Sequence, residues 1–140
     1  MGTMNGLNNK NMNNLISLTE EKILIPRRTP EERRKNFIKA IQQKIQQYIK
    51  NGSKGDLDLS NTPITSLPDN LTRVGGSLDL NNTPITSLPD NLTVGGWLDL
   101  YNTKITSLPD NLTVNGDLSL YNTKITSIPT SVKIKGKILK

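Results

Sequence analysis

The sequence contains neither cysteine nor histidine. Without cysteine there are no disulfides and no thiolate nucleophiles. Without histidine the commonest side-chain ligand for transition metals and the usual general base at neutral pH are both missing. We therefore expect no metal, no cofactor and no catalytic residue, and predict that the protein is not an enzyme.

Long apolar runs are missing as well. Hydrophobic residues make up 33% of the 140 residues and aromatic residues 4%. Residues 1–18 are Asn-rich and lack the continuous apolar stretch of a signal peptide, and the sequence contains no membrane-spanning run. These absences predict a protein that is cytoplasmic at synthesis and has no membrane partner.

What the sequence does contain is a repeat of 20 or 21 residues that starts at Gly55 with GDLDLSNTPITSLPDNLTRVG. A unit this short cannot bury its apolar side alone, so its copies must stack. The pattern predicts a solenoid, whose function usually lies on the repeated surface or at its ends. The first aliphatic residue of each unit recurs at Leu57, Leu78, Leu98, Leu118 and Ile138.

Each unit begins with an LxL segment, in which alternate residues point to opposite sides of a strand. About five short parallel strands are therefore predicted, joined by irregular return segments that contain four further aliphatic columns and a proline. A glycine precedes each strand, for example Gly76 and Gly116, where we expect a tight turn that suits small residues or residues tolerant of left-handed backbone. The inward columns of the first unit are predicted at Leu57, Leu59, Ile64, Leu67, Leu71 and Val74.

Residues 1–28 are predicted to be a mobile Asn-rich tail followed by a basic extended arm. The arm contains the apolar cluster Ile23, Leu24 and Ile25, and then Arg27 and Arg28. Two interpretations remain open: the aliphatic residues pack against their own domain, or they reach a separate partner.

Residues 29–52 are predicted to form an amphipathic helix that caps the solenoid of residues 53–140. Thr29 is a suitable N-cap, Pro30 fits the first turn and Glu32 completes a capping box. Asn51 and Gly52 end the helix. Apolar residues at helical spacing predict a face that covers the first repeat; they are Phe37, Ile38, Ile41, Ile45, Tyr48 and Ile49.

The positive charge is concentrated in the amino-terminal third. Residues 1–52 hold ten Lys or Arg against four Glu, whereas residues 53–140 hold eight Lys or Arg against eight Asp. The amino-terminal segment is therefore the candidate for docking on an acidic partner. Its basic helix positions, Arg33, Arg34 and Lys35, also fit an ordinary solvated face.

The segment LDLSNTPITSLPDNL resembles the leucine-rich repeat, whose framework is LxLxxNxLxxLPxxL, and the resemblance recurs over about 85 residues. It implies a solenoid with a strand-lined binding face and no catalytic residues. Short Thr-bearing repeats of this kind are similar to those of bacterial, bacteriophage and large-virus proteins. Where the family has a buried Asn this chain has a threonine, as at Thr83 and Thr103, and we expect a hydroxyl ladder there.

The outward side of the LxL strands is the candidate partner-binding face. It carries a column of carboxylates, and aromatic residues gather on the third and fourth repeats, as at a hot spot for a basic or peptide-like ligand. Stacking that only stabilises successive strands is an equal alternative. The predicted site residues are Asp58, Asp79, Asp99, Trp97, Tyr101 and Tyr121.

The leading hypothesis is a non-enzymatic protein–protein interaction module. The resemblance extends it to a minor structural component of a phage or viral particle, anchored by the basic arm. The alternative is a protein that binds nucleic acid or the ribosome through Arg27, Arg28, Arg33, Arg34 and Lys35. The last segment, KIKGKILK, is rich in lysine, which discourages edge pairing, although a partner strand could also add there.

Overall fold

The structure, a computed structural model, describes residues 27–140. The tail and the aliphatic cluster of Ile23, Leu24 and Ile25 lie outside the described residues. Residues 35–140 form one compact unit. Within residues 27–140 there is one helix, α1 (Pro30–Lys50).

Helix α1 begins and ends where the sequence predicts. The backbone N–H of Glu32 donates to the Thr29 hydroxyl at 3.1 Å, and the Thr29 N–H donates to the Glu32 carboxylate at 2.8 Å. These two hydrogen bonds form a capping box, and the one that the carboxylate accepts from the Thr29 backbone lowers the pKa of Glu32. After Lys50 the chain turns through Gly52, whose φ is +92°.

Only part of the apolar face of α1 is buried. Ile41 and Ile45 belong to the same core as the leucines of the solenoid, and Tyr48 and Ile49 pack against it partly buried. Phe37 was predicted to cover the first repeat as part of this face. That prediction is wrong, because 51% of the residue is exposed. The reason is that Phe37 borders an open cavity whose far wall carries polar side chains, among them Asp58 and Ser60.

Polar contacts also tie α1 to the first repeat. The hydroxyl of Tyr48 donates to the carbonyl of Gly55 at 2.7 Å and accepts from the N–H of Gly75 at 3.2 Å. Lys44 Nζ donates to the carbonyl oxygen of Asp58 at 2.9 Å. Since Tyr48 satisfies backbone groups at both ends of one repeat, the helix fixes the position of that repeat.

Residues 55–140 form a stack of coils. We number them coil 1 (55–75), coil 2 (76–95), coil 3 (96–115), coil 4 (116–135) and the start of a fifth (136–140). Each contributes one strand to a five-stranded parallel sheet, as predicted. These strands are β1 (Leu57–Asp58), β3 (Leu78–Asp79), β5 (Leu98–Asp99), β7 (Leu118–Ser119) and β9 (Ile138–Leu139).

A second parallel sheet runs along the return segments, which the sequence analysis expected to be irregular. Its order is β2-β4-β6-β8, and it places Val74 opposite Val94 and Val94 opposite Val114. The valines point into the core, so a β-branched residue in extended backbone is favoured here. Its strands are β2 (Arg73–Val74), β4 (Thr93–Val94), β6 (Thr113–Val114) and β8 (Lys133–Ile134).

The core is a stack of aliphatic columns, and all six predicted columns are buried in coils 1 to 3. In coil 4 the return-segment members are partly buried; they are Ile125, Ile128, Val132 and Ile134. The solenoid, its parallel strands and its inward leucines are therefore confirmed.

Glycine and asparagine have different roles from those expected at the corners. Gly116 does not adopt left-handed backbone, but a Cβ there would lie 2.9 Å from the carbonyl carbon of Gly96 and 3.0 Å from the N of Trp97. Close approach of successive coils therefore requires this glycine. Left-handed backbone occurs instead at an asparagine column, with φ between 55° and 57°; its members are Asn61, Asn82, Asn102 and Asn122.

The polar ladder also lies one residue away from its predicted position. The hydroxyls of Thr83 and Thr103 donate to the carbonyls of Leu80 and Leu100, three residues back in the same coil, at 2.8 and 2.9 Å. They satisfy buried backbone but do not link coils, because the carbonyl within reach belongs to their own turn. The asparagine column beside them forms the ladder between coils.

Coil 1 has one residue more than each later coil. Arg73 pairs with Thr93 and Val74 with Val94, so the additional residue is Thr72. Both Thr72 and Arg73 are exposed. The additional residue is therefore accommodated at the surface and leaves the columns on either side aligned.

Candidate binding surface

The outward side of the five-stranded sheet presents three columns of side chains, because the parallel strands pair without any shift in register. Asp58 pairs with Asp79, Asp79 with Asp99, and Asp99 with Ser119. The four residues therefore form the middle column. The predicted aspartates lie together as one row on one face.

Each aspartate of the middle column also has a local structural role. Oδ1 of Asp58 accepts from the N–H and hydroxyl of Ser60, at 3.0 and 2.6 Å, and these hydrogen bonds lower the pKa of Asp58. Oδ1 of Asp99 accepts from the N–H of Tyr101 at 2.9 Å. A carboxylate has about four acceptor positions, so each keeps acceptor capacity for a ligand.

The column before the leucines links successive coils through side-chain acceptors. Asp56 Oδ1 accepts from the N–H of Ser77 at 2.7 Å, and the Ser77 hydroxyl accepts from the N–H of Trp97 at 3.1 Å. Asp117 Oδ1 accepts from the N–H of Lys137 at 2.8 Å. Ser77 is only 8% exposed because it is enclosed by this ladder.

Trp97 interrupts that ladder. The indole has a donor and no acceptor, so it cannot receive the backbone N–H of Asp117 in the next coil as Asp56 receives that of Ser77. The side chain instead lies at the surface, with 45% of the residue exposed. Coil 3 thus has an exposed aromatic residue at the position where coils 1, 2 and 4 have a side chain that accepts a hydrogen bond from the next coil.

The column after the leucines changes in the same part of the stack. Coils 1 and 2 have Ser60 and Asn81 there, whereas coils 3 and 4 have Tyr101 and Tyr121, which are 44% and 47% exposed. The N–H of Asn102 donates to the carbonyl of Tyr121, so the two tyrosines lie in the successive turns that follow β5 and β7. All three predicted aromatic residues are thus exposed on coils 3 and 4.

A cavity of about 250 Å³ opens between coil 3 and the start of the fifth coil. Its walls combine an aromatic ring, two carboxylates, a hydroxyl and two leucines. Asp117, Ser119 and Leu139 line this cavity but were not among the predicted site residues; the signal in the sequence is that Ser119 ends the aspartate column. The lining residues are Trp97, Leu98, Asp99, Asp117, Ser119 and Leu139.

The predicted basic residues Arg27, Arg28, Arg33, Arg34 and Lys35 are all exposed. Arg33 Nη1 donates to the carbonyl of Arg28 at 2.8 Å, which holds one guanidinium against the turn that precedes the helix. The described basic residues thus remain accessible to a partner.

Among residues 27–140, no three acidic side chains converge closely enough to hold a metal ion. Nor does that region contain a helix with the length and apolar character needed to cross a bilayer.

Comparison with known proteins gives no relative. No family model matches the chain, and neither a curated protein nor a solved structure is significantly similar to it.

Proposed function

We propose that the chain is a non-enzymatic leucine-rich-repeat protein whose solenoid is a rigid block that binds a partner protein through the aromatic face of coils 3 and 4. The single observation that carries the proposal is that Trp97, Tyr101 and Tyr121, on two adjacent coils, are each between 44% and 47% exposed. Interfaces concentrate their binding energy in aromatic and Arg residues, and a rigid scaffold lowers the entropic cost of presenting them.

The equivalent positions of the other coils also support a binding role for the aromatic residues. The coils provide nearly the same environment several times, and coil 2 fills the equivalent positions with Ser77 and Asn81, which are compatible with the same stack. Trp97 lacks the side-chain acceptor that Asp56, Ser77 and Asp117 provide at the equivalent positions. Aromatic residues at these positions are therefore not required for stacking, and binding explains them better than packing does.

The leucine-rich-repeat assignment rests on coil length and on the buried leucine columns. One difference from the family is that the return segments of residues 53–140 contain short strands and no helix. Membership of a phage or viral particle rests on the resemblance of the repeats alone, and the proposed anchoring arm begins outside the described residues.

The test replaces the three aromatic residues with what coil 2 carries, as Trp97→Ser, Tyr101→Asn and Tyr121→Asn in one variant. We expect the melting temperature to be retained and partners captured by cross-linking from a native extract to be lost. The control variant combines Thr106→Ala and Thr126→Ala, two exposed positions of the return segments. Capture of the same proteins by the folded triple variant and by the wild type would refute the proposal.

The contribution of the arm is tested separately by Arg27→Ala combined with Arg28→Ala. If the arm anchors the protein on an acidic partner, this variant captures less of that partner than the wild type at low ionic strength. The difference shrinks as ionic strength rises, because salt screens the two charge contacts that the variant lacks. Unchanged capture at every salt concentration would leave the aromatic face as the whole of the interface.

The exposure of Phe37 favours a second candidate, binding of single-stranded nucleic acid. Phe37 was predicted to cover the first repeat, whereas 51% of the residue is accessible for stacking on a base. Five phosphate contacts would give a slope of about −3.5 for log affinity against log salt concentration on a single strand. Combined replacement of Arg33, Arg34 and Lys35 by alanine should reduce that slope, and a slope near zero for the wild type would exclude this function.

A further inference from the structure

We infer that the cavity lined by Trp97, Asp99 and Asp117 binds the cationic side chain of a lysine or arginine on a partner polypeptide. The inference rests on the proposed protein-binding function and specifies the chemistry of its contact. Its starting point is that the cavity coincides with the interruption of the ladder at Trp97 and with the end of the aspartate column at Ser119.

The charged groups of the cavity are acceptors. Asp99 and Asp117 each use one oxygen for a backbone N–H, of Tyr101 and Lys137 respectively, and each retains further lone pairs. A ligand that satisfies them must donate hydrogen bonds. Lysine and arginine side chains are donors without acceptors, so they complement both carboxylates.

The remaining walls fit the other parts of such a side chain. The face of an indole attracts an ammonium or guanidinium ion placed over it. Leu139, which is partly exposed beside Ser119, supplies apolar surface against which the methylene groups of a long cationic side chain can pack. The volume of about 250 Å³ is below the usual range for a small-molecule site, about 300–1,000 Å³, and suits a single side chain.

The negative charge of the whole face also favours a cationic partner. Five of the eight aspartates of residues 53–140 lie in its columns: Asp56, Asp58, Asp79, Asp99 and Asp117. The nearest cation in the ladder is Lys137, whose backbone N–H contacts Asp117 and which does not line the cavity. A basic polypeptide laid along the sheet would therefore meet carboxylates on several strands, which favours encounter and orientation.

Trp97 is the only tryptophan in the chain, so its fluorescence reports on this cavity directly. The probes are blocked pentapeptides with one central lysine or arginine among glycines, titrated into the full chain. Their matched controls carry norleucine in place of lysine and citrulline in place of arginine, which preserve length and remove the charge. We expect saturable changes in emission with the cationic peptides and none with the neutral ones.

Two substitutions remove charge and keep the backbone hydrogen bonds, since an asparagine oxygen can still accept: Asp99→Asn and Asp117→Asn. We expect each to weaken the cationic peptide about threefold to fivefold, as for an exposed ion pair. Asp79→Asn is the matched control in the same column, outside the cavity, and should change the affinity by less than twofold.

Equal binding of charged and neutral peptides, or an equal effect of Asp79→Asn and Asp117→Asn, would overturn the inference. So would the absence of any change in emission with the cationic peptides. That last result, together with loss of captured partners in the triple aromatic variant, would reject cation recognition and retain the proposed protein-binding function. Failure of both experiments would reject the two together.

Discussion

The side-chain amide of Asn122 donates a hydrogen bond of 2.7 Å to the side-chain oxygen of Asn102, one coil earlier. The same contact joins Asn102 to Asn82 at 2.8 Å and Asn82 to Asn61 at 3.1 Å. Every member has left-handed backbone. Asparagine therefore meets two requirements at once, since it tolerates this backbone and carries both a donor and an acceptor.

Replacement of Asn102 separates these two requirements. Asn102→Ala should lower the free energy of unfolding by about 2 kcal/mol, because left-handed backbone costs an alanine about 1–2 kcal/mol and two partly solvated hydrogen bonds are lost. Asn102→Gly loses only the hydrogen bonds and should cost about 1 kcal/mol. Denaturation by urea measures both. Equal losses for the two variants would mean that the backbone conformation is not the limiting requirement.

Gly116→Ala tests the close approach of coils 3 and 4. The new Cβ would lie about 3 Å from backbone atoms of Gly96 and Trp97. These atoms cannot move without disturbing the backbone hydrogen bonds between successive coils. We expect a loss of about 1–3 kcal/mol, as for other overpacked positions. The control is Asn115→Ala at the neighbouring exposed position, which should stay within about 0.5 kcal/mol of the wild type. Similar melting temperatures for both variants would contradict the steric argument.

Tyr48→Phe tests the attachment of the helix to coil 1. The variant leaves the carbonyl of Gly55 and the N–H of Gly75 without their hydroxyl partner. A loss of about 0.5–1.5 kcal/mol in the free energy of unfolding is expected near neutral pH, because both groups keep a backbone partner: the Gly75 N–H donates to Ser53 and the Gly55 carbonyl accepts from the Gly76 N–H, each at 2.8 Å. Denaturation by urea measures the loss, and an unchanged free energy of unfolding would argue against this contact.

The titration of the same hydroxyl determines how the free energy of unfolding should change at alkaline pH. Burial raises the pKa of Tyr48 in the folded protein, and the charge of Asp56 raises it further. The folded state therefore keeps this proton above pH of about 10, where an unfolded tyrosine loses it, so stability must fall as pH rises through the raised pKa. The stability difference between wild type and Tyr48→Phe should be constant below pH of about 10 and shrink as pH rises above it. A constant difference would mean that this titration does not affect folding.

Leu100→Asp tests the interior. Leu100 is fully buried, and an unpaired carboxylate at that position costs several kcal/mol, a large part of a total stability of about 5–15 kcal/mol. We expect the variant to be unfolded or to melt far below the wild type. Ser119→Asp is the control, because it places the same charge on the outward side of a strand where three other coils already carry it. Retention of the native circular dichroism melt by Leu100→Asp would refute the inward orientation.

Much of the fold follows from the sequence because the same residue types recur in every coil. Leu57, Leu78 and Leu98 occupy one structural position, so a single correct interpretation of the LxL segment places all of them. The capping box at Thr29 is equally local, since it depends only on residues three apart. Patterns that are local or repeated are the ones that a single sequence specifies.

Contacts between coils were harder to predict. The sequence identifies Gly116 as a position for a small residue, but the reason is the backbone of Gly96 twenty residues away. Phe37 satisfies helical spacing, and its exposure depends on what coil 1 places opposite it. For the candidate site, the aromatic residues were visible in the sequence, whereas the contribution of Asp117 and Leu139 depends on which coil closes the cavity.

The additional residue at Thr72 has a practical consequence. Because Val74 still meets Val94 despite the longer coil, correspondence between turns is set by the aligned strands and not by residue number. This corner is thus a place where a copy of the unit can change in length without shifting its neighbours. A short tag or reporter sequence inserted between Thr72 and Arg73 should be carried on the outside with both sheets intact.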